Sequence, residues 1–144
     1  MANHLMPTYK PLDISLNRGE GIYAWDQNDT QYLDALCGIS VTSLGHHHPA
    51  VTRAINEQAS RILHTSNLYH IENQARLADL LCEVSGMQQV FFSNSGAEAN
   101  EAAIKLARKY GHGLGIDRPE IVVMESSFHG RTMATLSATG NRKV

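Results

Sequence analysis

The stretch Phe91-Phe92-Ser93-Asn94-Ser95-Gly96-Ala97-Glu98-Ala99-Asn100-Glu101 joins a β-prone run to a strong helix former through a small, polar turn. A helix that begins in this way leaves backbone N–H groups unpaired at its positive end, where a phosphate group can bind. The same residues have the spacing of a capping box, in which Ser95 accepts the N–H of Glu98 and Glu98 accepts the N–H of Ser95. Such a box leaves the N–H groups of Gly96 and Ala97 for a ligand, and Gly96 has no side chain to obstruct it. The spacing alone does not choose between phosphate binding and simple capping.

Strands and helices are predicted to alternate after residue 88, which is typical of an α/β domain built on a parallel sheet. The predicted elements are a strand at 89–93, a helix at 96–110, an apolar strand at 121–124 and a helix at 131–137. The preceding residues predict an extended arm at 1–18, a β-hairpin with strands at 21–26 and 31–36, an irregular loop at 38–48, and helices at about 49–62 and 71–84. The pattern therefore predicts an α/β fold whose sheet is only begun by residue 144.

A second candidate site is the run Phe128-His129-Gly130-Arg131-Thr132, which follows the predicted strand at 121–124. In open α/β sheets, ligands bind at the carboxyl ends of the strands. An aromatic ring and a guanidinium on one loop could stack on a ligand ring and bind a carboxylate. The alternative, slightly favoured by these residues alone, is a core phenylalanine beside a solvated arginine.

Composition and charge exclude several classes of function. With 42% hydrophobic and 18% charged residues, the chain is neither disordered nor membrane-like, and its net charge of −2 gives no reason to expect nucleic acid as a partner. The N-terminus has no secretory signal pattern, and the well-separated Cys37 and Cys82 are expected to be buried thiols in a reducing cytosol. The run His46-His47-His48 invites a metal-site interpretation, but its side chains diverge and no carboxylate or cysteine stands at ligand spacing, so no metal is predicted.

Taken together, eight blocks of the sequence resemble the class III (ornithine/acetylornithine-type) aminotransferases, which use pyridoxal 5′-phosphate and have the fold type I architecture. The blocks are Gly21-Ile22-Tyr23-Ala24-Trp25-Asp26, Tyr32-Leu33-Asp34, Gly38-Ile39-Ser40-Val41, Leu44-Gly45-His46-x-His48-Pro49, His64-x-Ser66-Asn67-Leu68-Tyr69, Phe92-x-Asn94-Ser95-Gly96-Ala97-Glu98-Ala99-Asn100-Glu101, Lys105-Leu106-Ala107-Arg108 and Phe128-His129-Gly130-Arg131.

The resemblance implies a division of the chain and a role for each candidate residue. Residues 1–48 would form an N-terminal arm, a hairpin and a substrate-entrance loop at 40–44, and residues 49–144 would form helices and the start of the large cofactor-binding domain. The amides of Gly96 and Ala97, with the Ser95 side chain nearby, would hold the cofactor phosphate. Phe128 would stack on the pyridine ring, and Arg131 would pair with the substrate carboxylate.

The implied reaction transfers the amino group of N-acetylornithine to 2-oxoglutarate, in arginine biosynthesis, in a cytoplasmic homodimer. Other class III activities stay open, namely those on ornithine, succinylornithine, succinyldiaminopimelate and 4-aminobutyrate, as does a non-catalytic fragment or regulatory paralogue. A nucleotide-binding module is disfavoured because the sequence contains neither Gly-x-Gly-x-x-Gly nor a Walker pattern.

The family also needs a lysine that forms a Schiff base with the cofactor and an acidic residue at the pyridine nitrogen, both expected downstream of the matched blocks. The lysines of this chain are Lys10, Lys105, Lys109 and Lys143, and none of them can be given that role. Family members are well over twice as long, so the chain is interpreted as the N-terminal part of the enzyme. We therefore expect no catalytic residue within it, and no transamination by the 144 residues alone.

Overall fold

The structure is a computed structural model that describes residues 4–141, and the chain divides after Tyr69 into two compact units. The first unit contains a small sheet, a short turn and one long helix; the second contains three helices. In chain order the elements are β1 Leu16–Glu20, β2 Tyr23–Asp26, β3 Gln31–Leu33, α1 Cys37–Ser40, α2 Pro49–Ala59, α3 Glu72–Ser85, α4 Gly96–Gly113 and α5 Met133–Ala138. The predicted boundary between residues 48 and 49 remains a prediction.

The predicted hairpin is confirmed as the antiparallel pair β2 and β3, in which Ala24 faces Tyr32 and Tyr23 faces Leu33. Asp26 holds the turn between them, because its Oδ1 accepts the N–H groups of Asn28 at 2.8 Å and Thr30 at 2.9 Å. Its second carboxylate oxygen accepts the Tyr32 hydroxyl at 3.1 Å. Local turn chemistry of this kind is readable from sequence.

The predicted extended arm at 1–18 is wrong at its end, because β1 begins at Leu16 and adds a third strand, antiparallel to β2. The sequence Leu-Asn-Arg-Gly-Glu has no alternating apolar pattern, so its strand state depends on pairing rather than on propensity. Arg18 lies opposite Trp25 in the register, and its guanidinium carbon is 3.9 Å from the centre of the indole. Pairing and this cation–π contact outweigh the weak local preference.

The predicted helices are confirmed, with their ends set by local signals. Pro49 occupies the first turn of α2, where its missing N–H has no consequence. Helix α3 ends at Gly86, whose φ of 71° is left-handed, as a C-terminal glycine permits. Helix α4 begins at Gly96 as predicted and continues beyond Tyr110 to Gly113.

The predicted strands at 89–93 and 121–124 are wrong: within residues 4–141 the three strands are β1, β2 and β3, so neither segment is hydrogen-bonded into a sheet. Strand formation needs a partner backbone on at least one side, which an apolar run cannot supply for itself. Val122 is 94% exposed and Phe91 72% exposed, so these runs are not buried as their composition predicts.

The two cysteines are free thiols, and each is half-buried rather than buried as expected. Among the described residues, no helix has both the length and the apolar character needed to cross a membrane.

Candidate functional site

The amino-terminal end of α4 has the cap that the sequence predicts at Ser95. Ser95 has extended backbone angles, and its hydroxyl accepts the N–H of Glu98 at 3.2 Å. The predicted return hydrogen bond, from the N–H of Ser95 to the Glu98 carboxylate, is wrong. The Glu98 carboxylate accepts the N–H of Asn94 at 2.6 Å instead. The carboxylate thus reaches one residue further back along the chain, and it still stabilises the positive end of the helix.

This arrangement leaves three consecutive backbone donors open. Within residues 4–141, the N–H groups of Ser95, Gly96 and Ala97 donate to no acceptor. Ser95 and Gly96 are exposed, and apart from the adjacent residues and the backbone of α4 itself no heavy atom lies within 4 Å of the position that a Cβ on Gly96 would take. Three open donors at the positive end of an eighteen-residue helix, beside a residue with no side chain, can donate hydrogen bonds to the oxygens of a phosphate group.

Loop 128–131 lies directly against this end of α4. Gly130 is buried, and a Cβ added to it would stand 2.9 Å from the Cβ of Ala97 and 2.6 Å from the Oγ1 of Thr135. Its φ of 137° also favours glycine. The backbone of the loop at Gly130 therefore lies so close to α4 that there is no room for a side chain.

Two further side chains of α4 bind the residues around Gly130. Asn100 Nδ2 donates to the carbonyl of His129 at 2.8 Å. Glu101 accepts the Thr132 hydroxyl and the N–H groups of Ala134 at 3.2 Å and Thr135 at 3.4 Å. The donated Thr132 hydroxyl, followed by the two amides, holds the pKa of Glu101 below its ordinary value, so Glu101 is ionised at neutral pH.

The loop presents Phe128 and Arg131 to solvent. Phe128 is 60% exposed, and the guanidinium carbon of Arg131 lies 5.2 Å from the centre of its ring. This is a cation–π contact on one face of the phenyl group. The two residues lie on one loop as predicted, and they also contact each other. Because Phe128 is exposed, the alternative that it is a core phenylalanine is wrong.

In the first unit, the predicted entrance loop at 40–44 follows a strained turn. The residues of α1 have left-handed backbone angles, with φ of 52° at Cys37, 61° at Ile39 and 66° at Ser40. Asp34 Oδ1 accepts the N–H of Cys37 at 2.9 Å, and its Oδ2 lies 2.7 Å from Nε2 of His46. The Cys37 amide and then the His46 ring hold the pKa of Asp34 below its ordinary value.

The three consecutive histidines are used separately. His46 contacts Asp34 and also pairs its backbone with Gly21, whereas His48 precedes α2 as its N-cap residue. Among residues 4–141, no group of three or more histidine, cysteine, aspartate or glutamate side chains is arranged to hold a metal ion.

The sequence model of the family Aminotransferase class-III matches residues 5–144. The chain belongs to this family. It is 60% identical over 142 residues to the acetylornithine aminotransferase of Nitrosomonas europaea, a match that covers 99% of this chain and 36% of that protein. The chain thus spans about a third of the length of the curated relatives it matches.

Solved class III structures have the same fold. N-acetylornithine aminotransferase from Stenotrophomonas maltophilia matches with a TM-score of 0.78 and 39% identity, over 83% of this chain and 34% of that one. Taurine:2-oxoglutarate aminotransferase from Bifidobacterium kashiwanohense, solved in complex with PLP and glutamate, matches with a TM-score of 0.86 and 33% identity, over 96% of this chain and 31% of that one. The α/β, PLP-dependent transferase fold expected from the sequence is confirmed, and residues 4–141 form a part of it.

Sequence reasoning missed two of the contacts that organise this class III segment. In the sequence, Asn100 and Glu101 stand out only as part of a block that resembles the family, although they follow Ala97 by three and four residues and so lie on its face of α4. The pairing of Asp34 with His46 was missed as well, because it joins residues twelve positions apart through the fold. The signal available for Glu101 was the Thr132-x-x-Thr135 spacing, which marks a helix start that needs an acceptor nearby.

Proposed function

We propose that this chain contributes the phosphate-binding end and the substrate-carboxylate loop of a pyridoxal 5′-phosphate-dependent aminotransferase. The proposed reaction transfers the amino group of N-acetylornithine to 2-oxoglutarate in arginine biosynthesis. The observation that carries the proposal is the set of open amides at Ser95, Gly96 and Ala97, packed against the loop that bears Phe128 and Arg131. The family and the names of the relatives at up to 60% identity support it.

The donor set fits the phosphate of the cofactor. The amides of Gly96 and Ala97 would donate to its oxygens, beside the Ser95 hydroxyl, which accepts the N–H of Glu98 at 3.2 Å. A phosphate dianion at this point is also stabilised by the positive end of α4. When bound, the cofactor supplies the electron sink for the chemistry of the amino group, and the protein supplies orientation and charge.

Phe128 and Arg131 orient the ring and the substrate. The guanidinium of Arg131 occupies one face of the Phe128 ring, 5.2 Å from its centre, which leaves the opposite face for the pyridine ring. Arg131 presents a planar fork of donors that suits a carboxylate. In the complete enzyme it would bind the carboxylate of the amino acid or oxo acid.

The lysine that binds the cofactor covalently lies, on this proposal, outside residues 1–144. Lys105 is the nearer of the two α4 lysines to the open amides, and it follows Gly96 by nine positions along the helix, about 13.5 Å along the axis. Lys10 lies in the irregular segment before β1, and Lys143 lies outside the described residues. We expect the 144-residue chain alone not to transaminate.

Loop 40–44 is proposed to line the substrate entrance, and the protein to act as a cytoplasmic homodimer. The exposed apolar side chains of Val51, Ile55 and Ile62 support an interface, since a surface of this kind is usually covered in a stable assembly. The other class III substrates remain alternatives: ornithine, succinylornithine, succinyldiaminopimelate and 4-aminobutyrate. A non-catalytic paralogue is the alternative of a different class.

The test is an absorbance titration of the full-length protein with pyridoxal 5′-phosphate, followed by each amino donor in turn. A band of the bound cofactor that disappears fastest with N-acetylornithine, and reappears with 2-oxoglutarate, is the expected result. If the band disappears only with another amino donor, that donor replaces N-acetylornithine as the proposed substrate. A protein that never develops the band would favour the non-catalytic alternative. The variant Arg131→Lys is expected to keep the band and to raise KM for 2-oxoglutarate, because lysine cannot bind a carboxylate through two parallel hydrogen bonds.

A further inference from the structure

The face of α4 that carries Ala97, Asn100 and Glu101 contacts His129, Gly130 and Thr132. Ala97 packs on Gly130, Asn100 binds the carbonyl of His129, and Glu101 binds Thr132. These three positions follow one another at the three- and four-residue spacing that brings side chains onto one side of a helix. One side of α4 therefore contacts this segment at three residues: the carbonyl of His129, the backbone of Gly130 and the hydroxyl of Thr132.

We propose that Asn100 and Glu101 are positioning residues that set the Phe128 ring and the Arg131 guanidinium at the right distance from the phosphate-binding amides. The inference rests on the proposed function of those amides. Phe128 and Arg131 directly adjoin His129 and Thr132 in the chain, and α4 binds both of these neighbours, so α4 restricts where the two exposed side chains can lie. Neither Asn100 nor Glu101 has to touch the cofactor.

Both the N–H and the carbonyl of His129 are hydrogen-bonded to side chains outside the loop. The His129 carbonyl accepts from Asn100 at 2.8 Å, while the His129 N–H donates to Thr139 Oγ1 at 3.1 Å. The same Thr139 hydroxyl lies 3.2 Å from the Gly130 carbonyl. Since the peptide groups on both sides of residue 129 are held, the loop cannot rotate without breaking a hydrogen bond.

Glu101 fixes the other end of the loop by capping α5 from outside. Its carboxylate accepts from Thr132, Ala134 and Thr135, and the hydroxyl of the fully buried Thr135 accepts the N–H of Thr132 at 3.0 Å. An ionised carboxylate suits a helix start, where N–H groups have no partner of their own. Helix α5 thus begins at a point that α4 determines, and Arg131 immediately precedes that point.

The test compares Glu101→Gln with wild type in the full-length protein. The amide keeps the size of the side chain but loses the charge and one acceptor oxygen. We expect hydrogen exchange at Leu136, measured without cofactor, to accelerate about tenfold, the lower range for a hydrogen bond to a charged group. We also expect the Kd of pyridoxal 5′-phosphate and the KM for 2-oxoglutarate to rise by about fivefold or more, with kcat within about twofold. Exchange at Glu98, whose N–H donates to the Ser95 hydroxyl in the first turn of α4, should not change.

The matched control is Glu83→Gln on α3, an exposed carboxylate that makes no hydrogen bond or ion pair within residues 4–141. Asn100→Ala is a second variant, which removes one donor and serves if Glu101→Gln does not fold; it should show the same pattern. Faster exchange with unchanged Kd and KM would overturn the positioning role, as would unchanged exchange. A wild-type protein that binds no cofactor would refute the proposed function, and would be recognised as such because the exchange measurement does not depend on cofactor.

Discussion

Replacing Gly130 by alanine should detach loop 128–131 from α4. Gly130 faces Ala97 of α4 with no room for a Cβ between them, and its backbone φ of 137° disfavours any residue with a Cβ. The variant therefore tests whether the loop that carries Phe128 and Arg131 packs on the helix that carries the open amides.

The magnitude follows from two costs. The new Cβ would lie 2.6 Å from Thr135 Oγ1 and 2.9 Å from Ala97 Cβ, and Thr135 is fully buried, so its side chain has little room to move. Overpacking of this kind costs about 1–3 kcal/mol, and the backbone strain at Gly130 about 1–3 kcal/mol more. The local structure should lose about 2–6 kcal/mol in total.

Hydrogen exchange of the full-length protein without cofactor measures this loss. The N–H of Leu136, which donates to the Thr132 carbonyl at 2.7 Å, reports the opening of α5. A loss of about 2 kcal/mol corresponds to exchange about thirtyfold faster, and the Kd of pyridoxal 5′-phosphate should rise in parallel.

Gly115→Ala is the matched control, since Gly115 has a φ of 79° but no atom within 4 Å of its would-be Cβ. It carries the backbone cost alone, about 1–2 kcal/mol, and should leave exchange at Leu136 unchanged. Unchanged exchange in Gly130→Ala, or an effect no larger than the control's, would refute the packing of the loop on α4.

Ser95→Ala should cost α4 about 1 kcal/mol by removing its cap, and exchange at the Glu98 amide should accelerate about fivefold; an unchanged rate would contradict the cap. Ile39→Gly should raise the stability of the first unit by about 0.5–1 kcal/mol in denaturant titrations, because glycine relieves the strain of a left-handed backbone by more than its extra chain entropy costs. The Ile39 side chain is 82% exposed, so its removal takes away little packing. A loss of stability would contradict the strain at Ile39. The pKa of Asp34 lies below its ordinary 3.8 because Cys37 and His46 bind the ionised carboxylate, so its stabilising effect is present above that pH and lost as pH falls through the lowered value. Between pH 5 and 2.5 Asp34→Asn should lose less stability than wild type, and equal losses would count against this role.

Elements that are determined locally could be predicted from the sequence. The start of α4 follows from the Ser95 cap and the end of α3 from Gly86, because both signals act on the backbone within a few residues. The turn at Asp26 is of the same kind. The resemblance added the class III family, which the family match then confirmed.

Elements that depend on distant partners could not be predicted. β1 becomes a strand only by pairing with β2, and the apolar run at 121–124 is no strand without a partner among the described residues. The reach of Glu98 to Asn94, instead of Ser95, reflects a choice between two nearby donors that spacing does not determine. Contacts such as Glu101 with Thr132 span 31 residues and follow from the packing of α4 on α5.

The binding of the cofactor phosphate to the first amides of α4 can be measured directly by NMR. The full-length protein, labelled with 15N, would be titrated with pyridoxal 5′-phosphate while the amide signals of Gly96, Ala97 and Gly86 are followed. We expect the Gly96 and Ala97 signals to shift saturably, with one Kd that matches the absorbance titration. The Gly86 signal should stay in place, because that amide already donates to the Cys82 carbonyl at 2.9 Å as the C-cap of α3. Saturable cofactor binding that leaves the Gly96 and Ala97 signals unmoved would contradict the account.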